Sequence, residues 1–312
     1  MRNLRKIAGI VLLTVLALTG AAAAKDISII MITHGQASDP FWAIVKKGAD
    51  EAAHDTGVVL SYRAPDTFDM VAMAQLISAA ANQRPDGIIV SIPDADALGG
   101  AIKAAVAQGI PVISINSGAQ ASKELGARLH VGQDEYSAGV AAGERLAQLG
   151  GHHGLCVNHE VGNAGLDQRC NGFAKGFGGK TSVLPTTVDP ADTVAKVRAA
   201  LQSDPSIDVI LTLSASITGG ATVDALKQSG LTGKVKVVSF DLAAPFLRSV
   251  ADGSAAFALD QQPYLQGYLP VAILALNAKY GLMPSSSIQS GPNLVTRDDA
   301  ARVVDLSSRG IR

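Results

Sequence analysis

Aromatic residues and an excess of charge of either sign are both scarce in this chain. Only 4% of its 312 residues are aromatic, and the formal net charge is -1. The first shortage argues against the stacking platforms that bind single-stranded nucleic acid, and the second leaves no polycationic surface for a nucleic acid backbone. We therefore expect no nucleic acid partner.

Motifs for several common chemistries are also missing. No G-x-G-x-x-G follows a strand-like run, and neither G-x-x-x-x-G-K-[ST] nor G-x-S-x-G is present. The sequence thus shows no dinucleotide fingerprint, no P-loop and no nucleophile elbow. A triad assembled from distant residues stays open, because its members need share no local pattern. With no positive sign of catalysis, we expect a protein that is not an enzyme and needs no cofactor.

Cysteine occurs only at Cys156 and Cys170. In an oxidising compartment such a pair favours one disulfide, and two buried thiols are the alternative. Cys156 also belongs to the run HHGLCVNHE, which raises the question of a metal site. The spacing fits no zinc pattern, and alternation along a strand would put Cys156 and His159 on opposite faces. We expect a disulfide and no metal.

The amino-terminus carries the most specific signal in the composition. Two arginines and a lysine precede an apolar run over residues 7–19, and small residues follow up to Ala24. This order is typical of a secretory signal peptide. A membrane anchor is the alternative, but the apolar run is short for a span of the bilayer. We predict a signal peptide over residues 1–24, cleaved near Ala24, and an exported protein with no stable membrane insertion afterwards.

Beyond residue 24 the chain alternates between strand-like and helix-like segments. Apolar, β-branched runs such as DISIIMI, GIIVSI, PVISIN and VKVVSFD are separated by amphipathic stretches such as MVAMAQLISAAANQ. Continuous apolar strands with intervening helices indicate a parallel sheet covered on both faces. The series restarts at YSAGVAAGERLAQLG, and no Pro/Gly/Ser linker divides the halves. We predict an α/β protein with two doubly wound lobes that lie close together.

Polar side chains follow the ends of these strands. In doubly wound sheets, ligands bind beyond the carboxyl ends of the strands. The residues there are rich in Asp, Asn, Gln and Ser, which bind hydroxyl groups, and poor in the Lys and Arg that phosphates favour. The candidates are His34, Asn116, Asp167, Ser214, Asp241, Gln261 and Gln262. Helix caps, turns, backbone contacts and a surface loop position are the competing interpretations.

Several segments, in order along residues 26–270, resemble a known family. They are SDPFWAIVKKGADEAAHDTG, GIIVSIPDADAL, GIPVISINS, HVGQDEYSAGVAAGERL, NGF at 171–173, VVSFD and LDQQPYLQGY. The ordered set resembles the type I periplasmic solute-binding proteins of sugar ABC transporters, the ribose- and galactose-binding group. LacI-type repressors share these lobes, but they carry a helix-turn-helix where this chain has a signal-like segment.

The resemblance implies a fold, a hinge and a location. It implies two Rossmann-like lobes that are joined by a three-segment hinge and close on a monosaccharide in the periplasm. The N-terminal lobe would comprise residues 25–133 plus 262–291, and the C-terminal lobe residues 134–261 plus 292–312. The three crossovers would lie near Gln133, Gln261 and Gly291.

The resemblance also implies ligand contacts, some kept and some changed. The positions that match the family's sugar contacts are Asp39, Phe41, Trp42, Asp241 and Gln261, or Gln262 if the register slips. The changed positions are Ile92, Asn116, Ser117, Asp167 and Ser214. Asn116 and Ser117 replace an Asp-Arg pair, and the family's helix arginine aligns with Asp167, with Arg169 two residues further on. The implied ligand class survives these changes, but the identity of the sugar does not follow from them.

The segment SDPFW has a local interpretation as well. Asp39 and Pro40 suit the N-cap and the first position of a helix. Phe41 begins an apolar stripe that continues through Ile44, Val45, Gly48 and Ala52. Trp42 would lie about 100° from that stripe, where the core does not need it. We therefore expect Trp42 to stack on the face of a sugar.

Together these features predict a monomeric receptor that captures a monosaccharide or sugar alcohol between its lobes and delivers it to the permease of an ABC transporter. A periplasmic sugar sensor for a chemoreceptor or sensor kinase is the alternative. A secreted α/β enzyme is the third interpretation, and turnover of a bound sugar would distinguish it from the other two.

Overall fold

The computed structural model describes residues 26–35 and 39–312. The predicted signal peptide and part of the loop before Asp39 lie outside these residues. In chain order the strands are β1 (Ser28–Ile32), β2 (Val59–Arg63), β3 (Gly87–Ser91), β4 (Val112–Asn116), β5 (Leu129–Gly132), β6 (His153–Asn158), β7 (Lys180–Pro185), β8 (Val209–Thr212), β9 (Lys236–Phe240), β10 (Phe257–Asp260), β11 (Ile288–Gln289) and β12 (Asn293–Val295).

Helices connect most of these strands. They are α1 (Pro40–Thr56), α2 (Met70–Asn82), α3 (Ala95–Ala107), α4 (Ala119–Ser122), α5 (Glu135–Gln148), α6 (Ala164–Phe177), α7 (Pro190–Ser203), α8 (Gly220–Gln228), α9 (Ala244–Asp252), α10 (Pro263–Tyr280) and α11 (Arg297–Ser308). A π-helical turn over Ala215–Gly219 leads directly into α8.

The strands form two separate sheets, one in each lobe. The first has the order β11-β5-β4-β3-β1-β2 and is parallel throughout. The second has the order β12-β10-β9-β8-β6-β7 and is parallel except for β12, which runs antiparallel to β10. The predicted α/β fold with two parallel-sheet lobes is confirmed. Strands β11 and β12 went unpredicted, because two or three residues are too few to show a periodic pattern.

The chain passes between the lobes three times. The first passage runs from β5 to α5 through Gln133, the second from β10 to α10 through Gln261 and Gln262, and the third from β11 to β12 through residues 290–292. These passages form the only covalent links between the two sheets within residues 39–312. The boundaries of the lobes at single residues stay a prediction.

Helix α1 begins and ends where the sequence predicts. Asp39 Oδ1 accepts a hydrogen bond from Phe41 N at 2.8 Å, and Pro40 occupies the first position, where a helix has no use for an N–H. Gly57 ends the helix in the left-handed conformation, with φ of 67°. Helix α1 therefore runs from Pro40 to Thr56.

Apolar layers cover both faces of each sheet. In the first lobe, Val45 of α1 and Val271 of α10 pack on one face, and Ile77 of α2 and Ile102 of α3 pack on the other. The second lobe has the same two-layer arrangement. Because the central strands are buried on both faces, their sequences read as continuous apolar runs.

Cys156 of β6 and Cys170 of α6 form a disulfide, with their Cα atoms 5.7 Å apart. The predicted bond is confirmed, and the alternative of two free thiols is excluded. The bond ties α6 to the sheet of the second lobe. Over residues 26–35 and 39–312, no helix combines the length and the hydropathy needed to cross a membrane.

Candidate functional site

A cavity of about 70 Å³ lies between the two lobes, beyond the carboxyl ends of their strands. Its lining residues are His34, Asp39, Phe41, Trp42, Asn116, His159, Glu160, Asn163, Leu166, Arg169, Val188, Leu213, Ser214, Ile217, Asp241 and Gln261. They come from loops, helices and strand ends of both lobes and from the second passage between the lobes. A ligand held in this cavity would therefore contact both lobes at once.

The structure brings together most of the residues that the sequence singles out. His34, Asp39, Phe41, Trp42, Asn116, Ser214, Asp241 and Gln261 all line the cavity. Two of them, Asp39 and Ser214, also act as helix N-caps, so the competing interpretation holds for them as well.

Asp167 and Gln262 are not among the lining residues. Asp167 Oδ1 instead accepts a hydrogen bond from Asn158 Nδ2 at 3.0 Å, and Gln262 Nε2 donates to the carbonyl oxygen of Ser290 at 2.7 Å. Asp167 thus contacts the end of β6, and Gln262 ties the second passage to the third. The structure thus does not bring either residue to the cavity, and their contact with a ligand stays a prediction.

Arg169 enters the cavity where the resemblance had aligned Asp167. Residues two apart on a helix are separated by about 200°, so one of the pair faces the cavity and the other faces away. The Arg169 Nε and Nη2 atoms donate to the two carboxylate oxygens of Glu135 at 2.5 and 3.0 Å, and Nη1 donates to the Leu213 carbonyl at 3.2 Å. The guanidinium carbon lies 4.4 Å from the ring centroid of Phe240.

Arg169 stays charged in this setting. Burial lowers the pKa of Arg169, but the charge and the hydrogen bonds of Glu135, with smaller effects of Asp241 and Glu160, raise the pKa above its usual value. The positive charge of Arg169 is therefore matched by Glu135 before any ligand binds.

Gln261 links the two lobes at the second passage. Its Oε1 accepts a hydrogen bond from Asn116 Nδ2 of the first lobe at 3.2 Å, and its Nε2 donates to Asp241 Oδ1 of the second lobe at 2.6 Å. Asn116 and Asp241 both adopt the left-handed region, with φ of 60° and 69°. Asn and Asp tolerate this region better than other residues with side chains, and such backbone strain is concentrated at functional sites.

Three carboxyl groups of the cavity wall have raised pKa values. Burial raises the pKa of Asp241 to about 7 against the opposing effect of Arg169, and burial raises the pKa of Glu160 to about 7 against a hydrogen bond from Asn163. Burial raises the pKa of Asp39 as well. Near neutral pH the carboxyl groups of Asp241 and Glu160 can donate a hydrogen bond when protonated and accept one when ionised. This dual capacity suits hydroxyl groups, which also both donate and accept.

His34 of the first lobe meets Glu160 and Asn163 of the second. His34 Nδ1 lies 2.9 Å from Ser91 Oγ, and its Nε2 lies 3.6 Å from Glu160 Oε2. Asn163 Nδ2 donates to Glu160 Oε2 at 2.6 Å. Burial, with the charge of Arg169, lowers the pKa of His34 to about 3, so the ring is neutral and its contact with Glu160 is not an ion pair.

His159, Glu160, Asn163 and Arg169 line the cavity but are not among the ligand contacts that the sequence predicts. The first three lie on the loop between β6 and α6, and Asn163 is also the N-cap of α6, with Oδ1 accepting from Gly165 N at 3.0 Å. Their position directly after a strand was the signal that could have found them. Arg169 gave no such signal, because it lies inside a helix.

Trp42 differs from its prediction. It is only 5% exposed and packs in the apolar layer of the first lobe beside Phe41 and Val45. Its ring is edge-on to that of His34, with centroids 4.8 Å apart. A Cβ atom on Gly35 would lie 1.9 Å from Trp42 Nε1, so the loop after β1 folds directly over the indole. The prediction that the core does not need Trp42 is wrong, and the residue serves both core and cavity wall.

Two side chains of the run HHGLCVNHE, which raised the question of a metal site, are bound to other protein groups. Cys156 is in the disulfide, and His153 Nδ1 lies 2.8 Å from Ser206 Oγ. Among residues 26–35 and 39–312, no group of three or more His, Cys, Asp or Glu side chains is arranged to hold a metal ion.

Comparison with known proteins relates this fold and cavity to one family. Residues 29–281 match a family model described as a periplasmic binding protein domain. A carbohydrate transporter from Acidothermus cellulolyticus 11B, solved in complex with myo-inositol, is 39% identical and superposes with a TM-score of 0.87, covering 92% of this chain and 100% of that one.

Two further relatives are more distant. An ABC transporter solute-binding protein from Burkholderia graminis C4D1M, in complex with D-arabinose, is 26% identical with a TM-score of 0.80, covering 88% of this chain and 96% of that one. The ribose import binding protein of Haemophilus influenzae is 26% identical over 280 residues, which are 87% of this chain and 91% of the relative.

Proposed function

Because this chain belongs to the family of periplasmic binding protein domains, we propose that it captures a monosaccharide or sugar alcohol between its lobes and delivers it to the permease of an ABC transporter. The lobes close on the ligand by rotation about the three passages, and the closed form signals to the permease that the site is occupied. The proposal contains no covalent step and no cofactor.

The observation that carries the proposal is the chemistry of the cavity wall. Both carboxyl and amide groups line it, and together they offer donors and acceptors to hydroxyl groups. Phe41 and Trp42 supply apolar surface for the C–H faces of a sugar ring. The one arginine among the described lining residues, Arg169, is already paired with Glu135, so a phosphate group gains little there.

The relatives support a neutral ligand of five or six carbons. Two were solved with myo-inositol and D-arabinose and the third is a ribose import binding protein, and all three compounds are uncharged polyhydroxyl compounds. We propose a ligand of this class, with myo-inositol as the first probe, because the inositol-bound relative shares 39% of its sequence with this chain. These relatives are transport and import proteins, which favours transport over the sensor alternative.

Export and assembly complete the proposal. Residues 1–24 direct the chain to the periplasm and are cleaved near Ala24, and the mature chain acts as a monomer. All ligand contacts come from one chain, because the cavity lies between its own two lobes.

Isothermal titration calorimetry of the mature protein against myo-inositol, D-ribose, D-arabinose, xylitol and D-glucose tests the proposal. We expect one compound to bind at a ratio of one to one, and we expect Asp241→Ala to abolish that binding. Asp224→Ala, at an exposed position of α8, is the matched control and should bind as the unaltered protein does. Folded protein that binds no member of the panel would contradict the proposal.

A further inference from the structure

Glu135 lies behind the cavity wall and is not one of its lining residues. It is the first residue of α5, directly after the first passage between the lobes, and is only 3% exposed. The start of a helix favours a negative charge. Gln133 Nε2 donates to Glu135 Oε2 at 2.8 Å and so fixes the carboxylate to the passage itself.

The carboxylate of Glu135 determines which parts of Arg169 remain available. A guanidinium carries five N–H groups in a planar fork. Glu135 accepts two of them and the Leu213 carbonyl accepts a third. The other two, one on each terminal nitrogen, have no acceptor among the residues that the structure describes. They belong to a side chain that lines the cavity.

Arg169 has other carboxyl groups within electrostatic reach. Asp241 and Glu160, both in the cavity wall, act on its charge. Without Glu135, a flexible and buried guanidinium would turn toward one of them, because a buried charge requires a partner. The arginine and that carboxyl group would then pair with each other, and fewer polar groups would remain for the ligand.

We propose that Glu135 is a positioning residue: it holds the Arg169 guanidinium by a bidentate contact and thereby presents two N–H groups to hydroxyl groups of the ligand. The inference rests on the proposed function and deepens it. It assigns a role in ligand binding to a residue that does not touch the ligand, and it connects the first passage between the lobes to the cavity.

Glu135→Gln in the full mature chain tests the inference by calorimetry with the panel compound that the unaltered protein binds. The substitution keeps the shape but removes the charge and one acceptor. We expect affinity to fall about 10- to 100-fold, as for a lost hydrogen bond to a charged group. Glu144→Gln, at an exposed position of the same helix, should leave affinity unchanged. Unchanged affinity in Glu135→Gln would overturn the inference.

A double-mutant cycle separates positioning from a general structural effect. In the background of Arg169→Gln, we expect Glu135→Gln to weaken binding no further, because its effect passes through the arginine. An equal loss in both backgrounds would show that Glu135 acts independently and would overturn the inference. If Glu135→Gln does not fold, Glu135→Asp takes its place, and affinity equal to that of the unaltered protein would count against positioning.

Nitrogen-15 NMR of the arginine side chains gives a readout that needs no ligand. We expect a protected Arg169 Nε–H signal, identified by its loss in Arg169→Gln, that shifts or broadens in Glu135→Gln and not in Glu144→Gln. An unmoved signal would overturn the inference even if no panel compound binds. Absence of binding with the expected NMR shift would contradict the proposed function alone.

Discussion

Asp241 makes stability depend on pH in a predictable direction. Its pKa is raised from 3.8 to about 7, chiefly by burial, so the folded protein holds a proton that the unfolded chain releases. Between about pH 4 and 7 the folded state therefore binds more protons, and the contribution of Asp241 to stability falls as pH rises. Above pH 7 the cost of the buried charge remains in full.

Replacement of the carboxyl group should remove this cost. At pH 8 and without ligand, we expect Asp241→Asn to raise the free energy of unfolding by about 1 to 4 kcal/mol relative to the unaltered protein. The variant should therefore melt at a higher temperature. The asparagine Oδ1 can still accept the hydrogen bond from Gln261. The gain should shrink toward pH 4.5, and calorimetric melting across pH 4.5 to 8 measures it.

Two features keep that comparison interpretable. Burial lowers the pKa values of His34 and His159, which makes their contributions rise with pH, but both residues are present in each protein and their effects cancel in the difference. Asp224→Asn, at an exposed site of α8, is the control. A stability gain of Asp241→Asn that does not vary with pH would show that the pKa of Asp241 is not raised.

At the scale of single residues, the sequence predicts which residues lie at strand ends better than it predicts which way a helical side chain faces. Asn116 and Asp241 were found because they follow strands, and all strand ends of a parallel sheet meet at one edge. The resemblance aligns the family's helix arginine with Asp167 and not with Arg169, because the orientation of a helix about its own axis depends on packing that no local pattern encodes. Trp42 was misjudged because a helix wheel does not show the loop that covers its first turn.

Helices α1 and α10 of the first lobe pack with their backbones in contact. A Cβ atom on Gly48 would lie 2.2 Å from the Tyr264 carbonyl oxygen, and one on Gly267 would lie 1.9 Å from the Val45 carbonyl oxygen. Neither backbone can move without shifting a whole helix. The two glycines therefore set the distance between the helices, and α1 in turn carries Asp39, Phe41 and Trp42 to the cavity.

A methyl group at this contact should destabilise the lobe. We expect Gly48→Ala to lower the free energy of unfolding by about 1 to 3 kcal/mol or more, as overpacking does elsewhere. Gly100→Ala, in helix α3 of the same lobe, is the matched control, because a Cβ atom there meets no heavy atom within 4 Å. It should instead stabilise by about 0.5 to 1 kcal/mol. Urea unfolding measures both, and equal effects of the two substitutions would contradict the argument.

At the scale of elements, the sequence predicts regular segments and their ends. The continuous apolar runs became the central strands, and Asp39 and Gly57 delimit α1 as expected. The π-helical turn, β11 and β12 were not predicted, because their conformations depend on neighbours distant in the chain. The sequence also does not predict the close contact of α1 with α10, although it places Gly48 in the apolar stripe of α1.

The two lobes of the whole molecule touch through groups other than the cavity wall. Gln168 Nε2 of α6 donates to Gln120 Oε1 of α4 at 3.0 Å, and Ala164 N donates to the Pro93 carbonyl oxygen at 3.0 Å. None of these four residues lines the cavity. The contacts exist only while the lobes are together, so they stabilise the closed form without touching a ligand.

Loss of such a contact should weaken binding by way of closure. When the free protein is mainly open, binding must also drive closure. Affinity then falls by the same factor as the equilibrium constant between the closed and the open form. We expect Gln168→Ala to weaken affinity about 2- to 5-fold, the value of one exposed hydrogen bond. Calorimetry measures the change.

Gln120→Ala should have the same effect, and the double variant should bind no more weakly than either single one, because the bond is lost only once. Gln202→Ala, at an exposed position of α7, is the control. Affinity that is unchanged in Gln168→Ala, or that falls further in the double variant, would show that this contact does not contribute to closure.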